Sequence, residues 1–504
     1  MRPDGTGYTR RVDLLRTKSI EQSLKDTEDP EFQLKRRLSA LDLTFFGIGV
    51  IIGAGIFTLT GRVAQAFAGP GVVFSFMIAA FCCGLAALCY AEFSSTVPVS
   101  GSAYTFSYAT LGEIVAWIIG WDLLLELMLG ASVVAQGWAS YFETFLDEVG
   151  IAWPAGLGYG DSFNLAAFLL VAVLTALVTY GIKESLRVNL VLVALKLFIV
   201  LFVIVAGIGF INRDNYRPFV PPAEPTTGSG QWLHTPLLQL VTGSPQAYGV
   251  AGILFAASLV FFAYIGFDVV ATTAEEAAHP QRDLPRGIIG SLVICTILYI
   301  AVALVITGMV KYSDINPDAA LATAFADRGK DGFATLISAG AVAGLTTVVM
   351  TLMIGAVRVT FAMSRDHLLP PALGRTSKRT GTPVLLTVAI GTVVAIVASV
   401  TPVGKLEEMV NIGTLTAFLL VSLAVPVLRR TRPDLERSFK VPWSPWLPWA
   451  SALVCLFLMV NLTVETWIRF LVWMVLGFAI YFAYGYRRSR VGKGEGVPVP
   501  DYRR

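Results

Sequence analysis

Four polar side chains interrupt otherwise apolar stretches of this 504-residue chain: Glu126, Lys196, Asp268 and Tyr299. An ionisable group at the centre of a membrane helix costs about 2.5–3.5 kcal/mol on the insertion scale, so such groups usually face a cavity and have partners. Two carboxyls, an amine and a phenol can together pass a proton along, which is the chemistry of a relay. Two other places can hold a ligand through the backbone. One is Gly53-Ala54-Gly55, inside the run Phe45 to Phe57, and the other is the segment Phe261 to Asp268, which contains Gly266. A glycine-bearing break in a membrane helix frees N–H and C=O groups, and hydrocarbon forbids that unless they line a cavity. At the first break, N–H groups opening the next half-helix can hold a carboxylate, aided by its dipole. At the second, carbonyls near Phe262, Ala263 and Ile265 can accept from an ammonium, with the Phe262 ring closing over it. A carboxylate site and an ammonium site at one depth describe an α-amino acid.

The elements that position these residues are membrane helices. Hydrophobic residues make up 55% of the chain and charged residues 14%, and the mean hydropathy is +0.68; this is not the balance of a soluble globular protein. Apolar runs long enough to cross a ~30 Å hydrocarbon core recur along it. The expected spans are 41–67, 71–96, 113–138, 164–182, 187–211, 251–275, 287–310, 334–363, 382–402, 406–428, 445–464 and 466–486. The expected class is therefore an all-α integral membrane protein with twelve transmembrane helices, in contact with a lipid bilayer. The broken runs are the first and sixth of these. Both begin with a Phe-Phe pair, and each opens a group of five spans. Matching breaks in two halves point to a secondary transporter with inverted repeats.

On this reading residues 1–40 are a cytoplasmic tail, 41–211 the first repeat (spans one to five) and 212–250 an outer loop rich in Pro and Gly. Residues 251–428 form the second repeat (spans six to ten), 429–490 hold the last two spans, and 491–504 form a second cytoplasmic tail. Lys and Arg gather in Lys35-Arg36-Arg37, Arg375 to Arg379, Arg429-Arg430 and Arg487-Arg488. All these lie on one side of the expected topology, which the positive-inside rule makes cytoplasmic, with both termini there. The first 40 residues lack the apolar core of a cleavable signal. A net charge of +3 follows from this topology and needs no nucleic-acid partner. All five cysteines, Cys82, Cys83, Cys89, Cys295 and Cys455, fall inside spans without metal-ligand spacing. His234, His279 and His367 lie in loops or at span ends, so no metal site, cofactor site or catalytic constellation is legible, and the chain is not read as an enzyme. Glu92 and Glu275-Glu276, near span ends, are candidate gating ion pairs, and Arg358 can snorkel to the surface.

The chain resembles the superfamily of amino acid, polyamine and organocation transporters, within its cationic amino acid transporter branch. The resemblance is carried by Gly47 to Phe57, by Tyr90-Ala91-Glu92-Phe93-Ser94-Ser95 with Pro98 and Gly101-Ser102-Ala103-Tyr104, and by Phe261 to Asp268 with Glu275-Glu276 and Pro280. Arg358 with Phe361 to Asp366 completes it. It implies a leucine-transporter-like fold of five plus five helices with helices 1 and 6 broken, two extra C-terminal helices, and alternating access. It also implies proton symport, with Lys196 where sodium-driven relatives bind sodium, and Glu126, Asp268 and Tyr299 in the same polar network. Ile51, Ala54 and Gly55 would line the carboxylate end, and Phe262, Ala263 and Ile265 the amino end. Span eight, around Ala343 to Met350, would face the substrate side chain; its uncharged Ala343-Gly344-Leu345-Thr346-Thr347 leaves both cationic and small neutral amino acids open. The twelve-span layout resembles bacterial members, hence a bacterial cytoplasmic membrane. Symport or exchange, and a small accessory membrane subunit, stay open.

Overall fold

The computed structural model describes residues 16–17, 38–96, 102–181, 186–225, 232–242, 246–377, 380–433, 435 and 437–493. Lys35-Arg36-Arg37, Pro98, Gly101, Gly228 to Gly230, Lys378-Arg379 and most of both tails lie outside them.

Helix α1, Ala40–Ile51, starts at a capping box: the Ser39 side chain accepts the Asp42 N–H, and Asp42 accepts the Ser39 N–H. This satisfies two orphan donors of the first turn. At Ile52 and Gly53 the chain leaves the helix, then resumes from Ala54 into a π-type turn, Gly55–Leu59, and continues helically to Ala68. Gly69 has φ +56°, which an L side chain adopts only with strain, and the Gly69-Pro70-Gly71 turn reverses the chain into α2, Val72–Thr96. The next helices are α3 (Ser102–Thr110), α4 (Glu113–Glu148), α5 (Leu165–Thr179) and α6 (Leu186–Ile208). At 36 residues, α4 is about 54 Å long and overshoots the hydrocarbon core. Asn164 caps α5 by accepting the Ala167 N–H at 2.9 Å.

The segment after α6 is mostly irregular. It contains short helices at Arg213–Tyr216, Trp232–His234 and Leu237–Thr242. It also forms one two-stranded antiparallel sheet, β1 (Glu224–Pro225) with β2 (Gln246–Ala247), in which Glu224 faces Ala247. Helix α7, Gly249–Val260, is shorter than the sequence led us to expect. It tightens into a 3₁₀ turn at Phe261–Tyr264, opens, and resumes as a 3₁₀ segment, Val269–Glu276, in place of an α-helix. The long helices that follow are α8 (Pro280–Met309), α9 (Asp331–Arg365), α10 (Val384–Val400), α11 (Val403–Thr431), α12 (Trp446–Val460) and α13 (Val464–Ile480), with a short helix at Ala320–Ala326 between α8 and α9.

Among the described residues, eight helical runs are long and apolar enough to cross a membrane; α1, α5, α10 and α12 are shorter apolar helices. The chain is thus a helical multi-pass membrane protein. On α13, Leu471, Val472, Val475 and Leu476 are 49–67% exposed, an apolar face suited to lipid. Helix α8 packs on α1 and α2, and α2 also packs on α7, while α4 packs on α9, α10 and α11, and α5 on α10; α6 touches α1, α8 and α9. Counted from the first and sixth runs, counterparts meet: α2 packs on α8, α4 on α9, and α5 on α10.

Candidate functional site

The two breaks touch. A Cβ on Gly55 would lie 2.4 Å from Cα of Ala263, so only glycine lets the first break approach the second this closely. Gly266 has φ +121°, and a Cβ there would meet Val50 at 2.7 Å. Ile265, with ψ 134°, takes the chain out of the helix just before it. Tyr299 of α8 fixes the pair: its hydroxyl lies 2.7 Å from the carbonyl oxygens of both Ile51 and Ala263. A hydroxyl has one proton to donate, so one of these contacts is the hydrogen bond at any moment and the two carbonyls share it.

Between the breaks is a small cleft, partly open to solvent. Val50, Ile51, Gly53, Ala54 and Gly55 line it from the first break, and Phe262 and Ile265 from the second. Gly130 and Val134 of α4 and Val348 and Leu352 of α9 form the opposite wall, each pair one helical turn apart. No side chain of this lining carries a charge or a hydroxyl. Polar contact with a ligand therefore falls to the backbone. Helix geometry leaves the first N–H groups of a helical segment without partners earlier in the chain, and here those belong to Ala54, Gly55 and Ile56, of which Ala54 and Gly55 line the cleft.

Five of the six residues expected to meet substrate, Ile51, Ala54, Gly55, Phe262 and Ile265, line the cleft. Ala263 does not. Its carbonyl takes the Tyr299 contact, and that of Phe262 accepts the Ile265 N–H at 3.2 Å. Each carbonyl keeps a second lone pair. The sequence singled out Ala343 to Met350, which includes Val348, but missed Gly130, Val134 and Leu352; apolar residues in apolar helices give no signal of facing a cleft.

The polar residues divide into two places. Lys196, 1% exposed, lies behind the first break, where its ammonium donates to the Gly49 carbonyl at 2.7 Å. Gly344 of α9 makes room for it, because a Cβ there would lie 2.8 Å from Lys196 Cγ. Asp268 lies past the second break. Its carboxylate faces the N–H groups of Gly266, Asp268 and Val269, with Gly266 at 3.2 Å, and so caps the 3₁₀ segment. Glu126 of α4 is within electrostatic range of Asp268 and beside the Thr414 side chain. Neither of its oxygens has a hydrogen-bond partner among the described residues.

Ion pairs close the assembly on both sides. Arg62, on the helical stretch after the first break, pairs with buried Glu407 of α11. Tyr141 of α4 donates to the Phe57 carbonyl at 2.6 Å. On the other side Glu92 of α2 accepts two bonds from Arg429 at 2.6 and 2.9 Å and one from the Val441 N–H at 2.7 Å. Sequence reasoning picked out Glu92 and missed Arg62, whose partner lies 345 positions away. Among the described residues no group of His, Cys, Asp and Glu could hold a metal ion.

Residues 38–480 match the family described as amino acid permease. The chain is 45% identical over 489 residues to the branched-chain amino acid permease BcaP of Bacillus subtilis, covering 95% of this chain and 99% of that protein. It is 43% identical over 466 residues to the methylthioribose transporter of the same organism, covering 91% and 95%. To the vacuolar cationic amino acid transporter 4 of Arabidopsis thaliana it is 37% identical over 432 residues, covering 84% and 68%.

Proposed function

Because the chain belongs to the amino acid permease family, we propose that it imports neutral aliphatic L-amino acids across the cytoplasmic membrane of a bacterium, in symport with protons and without sodium. The wholly apolar lining of the cleft carries this reading. A lysine or arginine side chain would need a carboxylate there, because a buried unpaired charge is costly. A ribose would need partners for its hydroxyls. Neither is present, whereas Val134, Val348 and Leu352 suit a branched aliphatic chain. The substrate carboxylate meets the N–H groups of Ala54 to Ile56, its ammonium meets carbonyls near Phe262, Ala263 and Ile265, and Phe262 closes over it.

Adding the four shorter helices to the eight longer runs gives twelve crossings, with both termini cytoplasmic. The pairwise packing of counterpart helices supports a five-plus-five inverted repeat with α12 and α13 outside it. The group α1, α2, α7 and α8 then moves against α4, α5, α9 and α10, and the pairs Arg62–Glu407 and Glu92–Arg429 open in turn on the outer and inner sides. Protonated Lys196 ties the inner half of the first broken helix through Gly49. A charge-assisted hydrogen bond is about twice as strong as a neutral one, so losing the proton loosens that half-helix. Asp268 is the stationary charge of the network, Glu126 its exchangeable partner, and Tyr299 holds the breaks together meanwhile.

The test is uptake of radiolabelled leucine, alanine, lysine and arginine into proteoliposomes under an inward proton gradient, with and without sodium. We expect leucine to accumulate above equilibrium in the absence of sodium, with lysine and arginine near background. Lysine accumulation would overturn the substrate class. Counterflow with no proton-driven accumulation would make the protein an exchanger or uniporter on the same fold.

A further inference from the structure

One buried ionisable group in α4 has no role in the scheme above. Asp122 is 0% exposed, and neither of its carboxylate oxygens has a hydrogen-bond partner among the described residues. A carboxyl in that state is costly in a membrane helix, and nothing structural offsets the cost here: it caps no helix and pairs with no cation among the described residues. It is placed four residues before Glu126, on the same helical face. Residues so spaced have Cβ atoms about 5–6 Å apart, a separation that one water spans between two carboxyl groups. Glu126, whose oxygens likewise make no hydrogen bond among the described residues, interacts electrostatically with both Asp122 and Asp268.

The groups around this line are few. From α2 the Tyr90 hydroxyl, buried and without a partner, lies within electrostatic range of both Glu126 and Asp268. From α11 comes Thr414 beside Glu126. Toward the Glu113 end of α4, Gly120 packs against Tyr104, whose hydroxyl donates to Asp366 at 2.8 Å. The pair Tyr104–Asp366 thus lies between Asp122 and the cytoplasmic end of α4 in the proposed orientation.

We infer that Asp122 is a proton-transfer residue, the step that takes the proton from Glu126 toward the cytoplasm. Glu126, protonated from the outer side, gives its proton through a bridging water to the Asp122 carboxylate and returns to a carboxylate. Asp122 then releases the proton to cytoplasmic water when the inner side opens, and regains its negative charge. The inference rests on the proton-symport reading. Its geometric basis is separate: two consecutive buried carboxyls without partners, aligned from the second break toward one end of α4.

The test compares wild type, Asp122→Asn and Asp122→Glu in proteoliposomes, with whichever of leucine, alanine, lysine and arginine the wild type accumulates fastest. Three readouts are taken: counterflow, proton-driven accumulation, and acidification of the lumen reported by trapped pyranine. Asparagine keeps the shape and polarity of aspartate but carries no exchangeable proton. Counterflow by Asp122→Asn should stay within about twofold of wild type with an unchanged KM, while accumulation and acidification fall about tenfold or more. Asp122→Glu should restore both. Accumulation and acidification at wild-type rates in Asp122→Asn would overturn the inference, and so would a parallel loss of counterflow, which marks a structural residue. A wild type that accumulates no substrate with protons fails the symport reading itself, and the wild-type control separates that result from failure at Asp122.

Discussion

The cleft between the two breaks and the carboxyl-bearing region behind it lie side by side and are built on opposite principles. Every side chain lining the cleft is apolar or absent, so recognition there falls to main-chain groups and shape. Behind it, Glu126 and Asp122 are buried carboxyls whose oxygens make no hydrogen bond among the described residues, and Lys196 and Asp268 bond to the backbone of the breaks. The first region can discriminate ligands by volume, while the second can respond only to protons and charge. On the proposed symport reading, keeping them apart would let the ligand's side chain vary without disturbing the proton route. It also places each break under two influences, the ligand in front and an ionisable group behind.

The largest effect should come from merging the two breaks' surfaces. Gly55→Leu puts carbon where Ala263 already sits at 2.4 Å, and overpacking of about 1–3 kcal/mol or more at a closed contact should abolish uptake and counterflow alike, by about 100-fold. Uptake measured at matched expression checks this; retained counterflow would show that the breaks need not touch. Lys196→Ala should separate the regions instead. We expect proton-driven accumulation to fall about 100-fold while counterflow persists, because the cleft lining is untouched; unchanged accumulation would remove Lys196 from the proton route.

A smaller change sharpens the cleft alone. Val348→Ala removes two methyl groups from the α9 wall, and at roughly 1–3 kcal/mol per methylene the preference for phenylalanine over alanine should rise about tenfold in competition uptake. An unaltered preference would mean that the substrate side chain points elsewhere. The smallest effect should come from a residue outside both regions. Trp138 Nε1 donates to the Thr346 hydroxyl at 2.9 Å between α4 and α9; Trp138→Phe should cost about 1 kcal/mol of thermal stability and leave selectivity and proton coupling as they were. A selectivity change there would show that the α4–α9 spacing, and not the lining alone, sets the ligand.

Several features were legible because they are local. A glycine where the backbone must approach another chain or adopt positive φ, as at Gly55 and Gly266, is visible as a residue type in an apolar run. So is an ionisable group where hydrocarbon tolerates none, as at Glu126 and Lys196. Asp122 was as visible by type and passed over, since a polar residue in a span announces its cost and not its partners. Gly130, Val134 and Leu352 could not be picked out at all, because an apolar residue facing a cleft and one facing a neighbouring helix read alike. Arg62 reads as an ordinary charge until folding brings Glu407 to it.

By itself the sequence determined that the chain is a helical membrane protein, that its first and sixth apolar runs are interrupted, and that ionisable groups lie within its spans. Each follows from residue chemistry over a window of a few turns. The tertiary structure alone decided that the breaks meet, that Tyr299 bridges Ile51 and Ala263, that Lys196 bonds to Gly49, and that the side chains lining the cleft are apolar on every side. These are contacts between segments tens to hundreds of residues apart, and which side chains meet across such distances is set by how the helices pack, which no local pattern encodes.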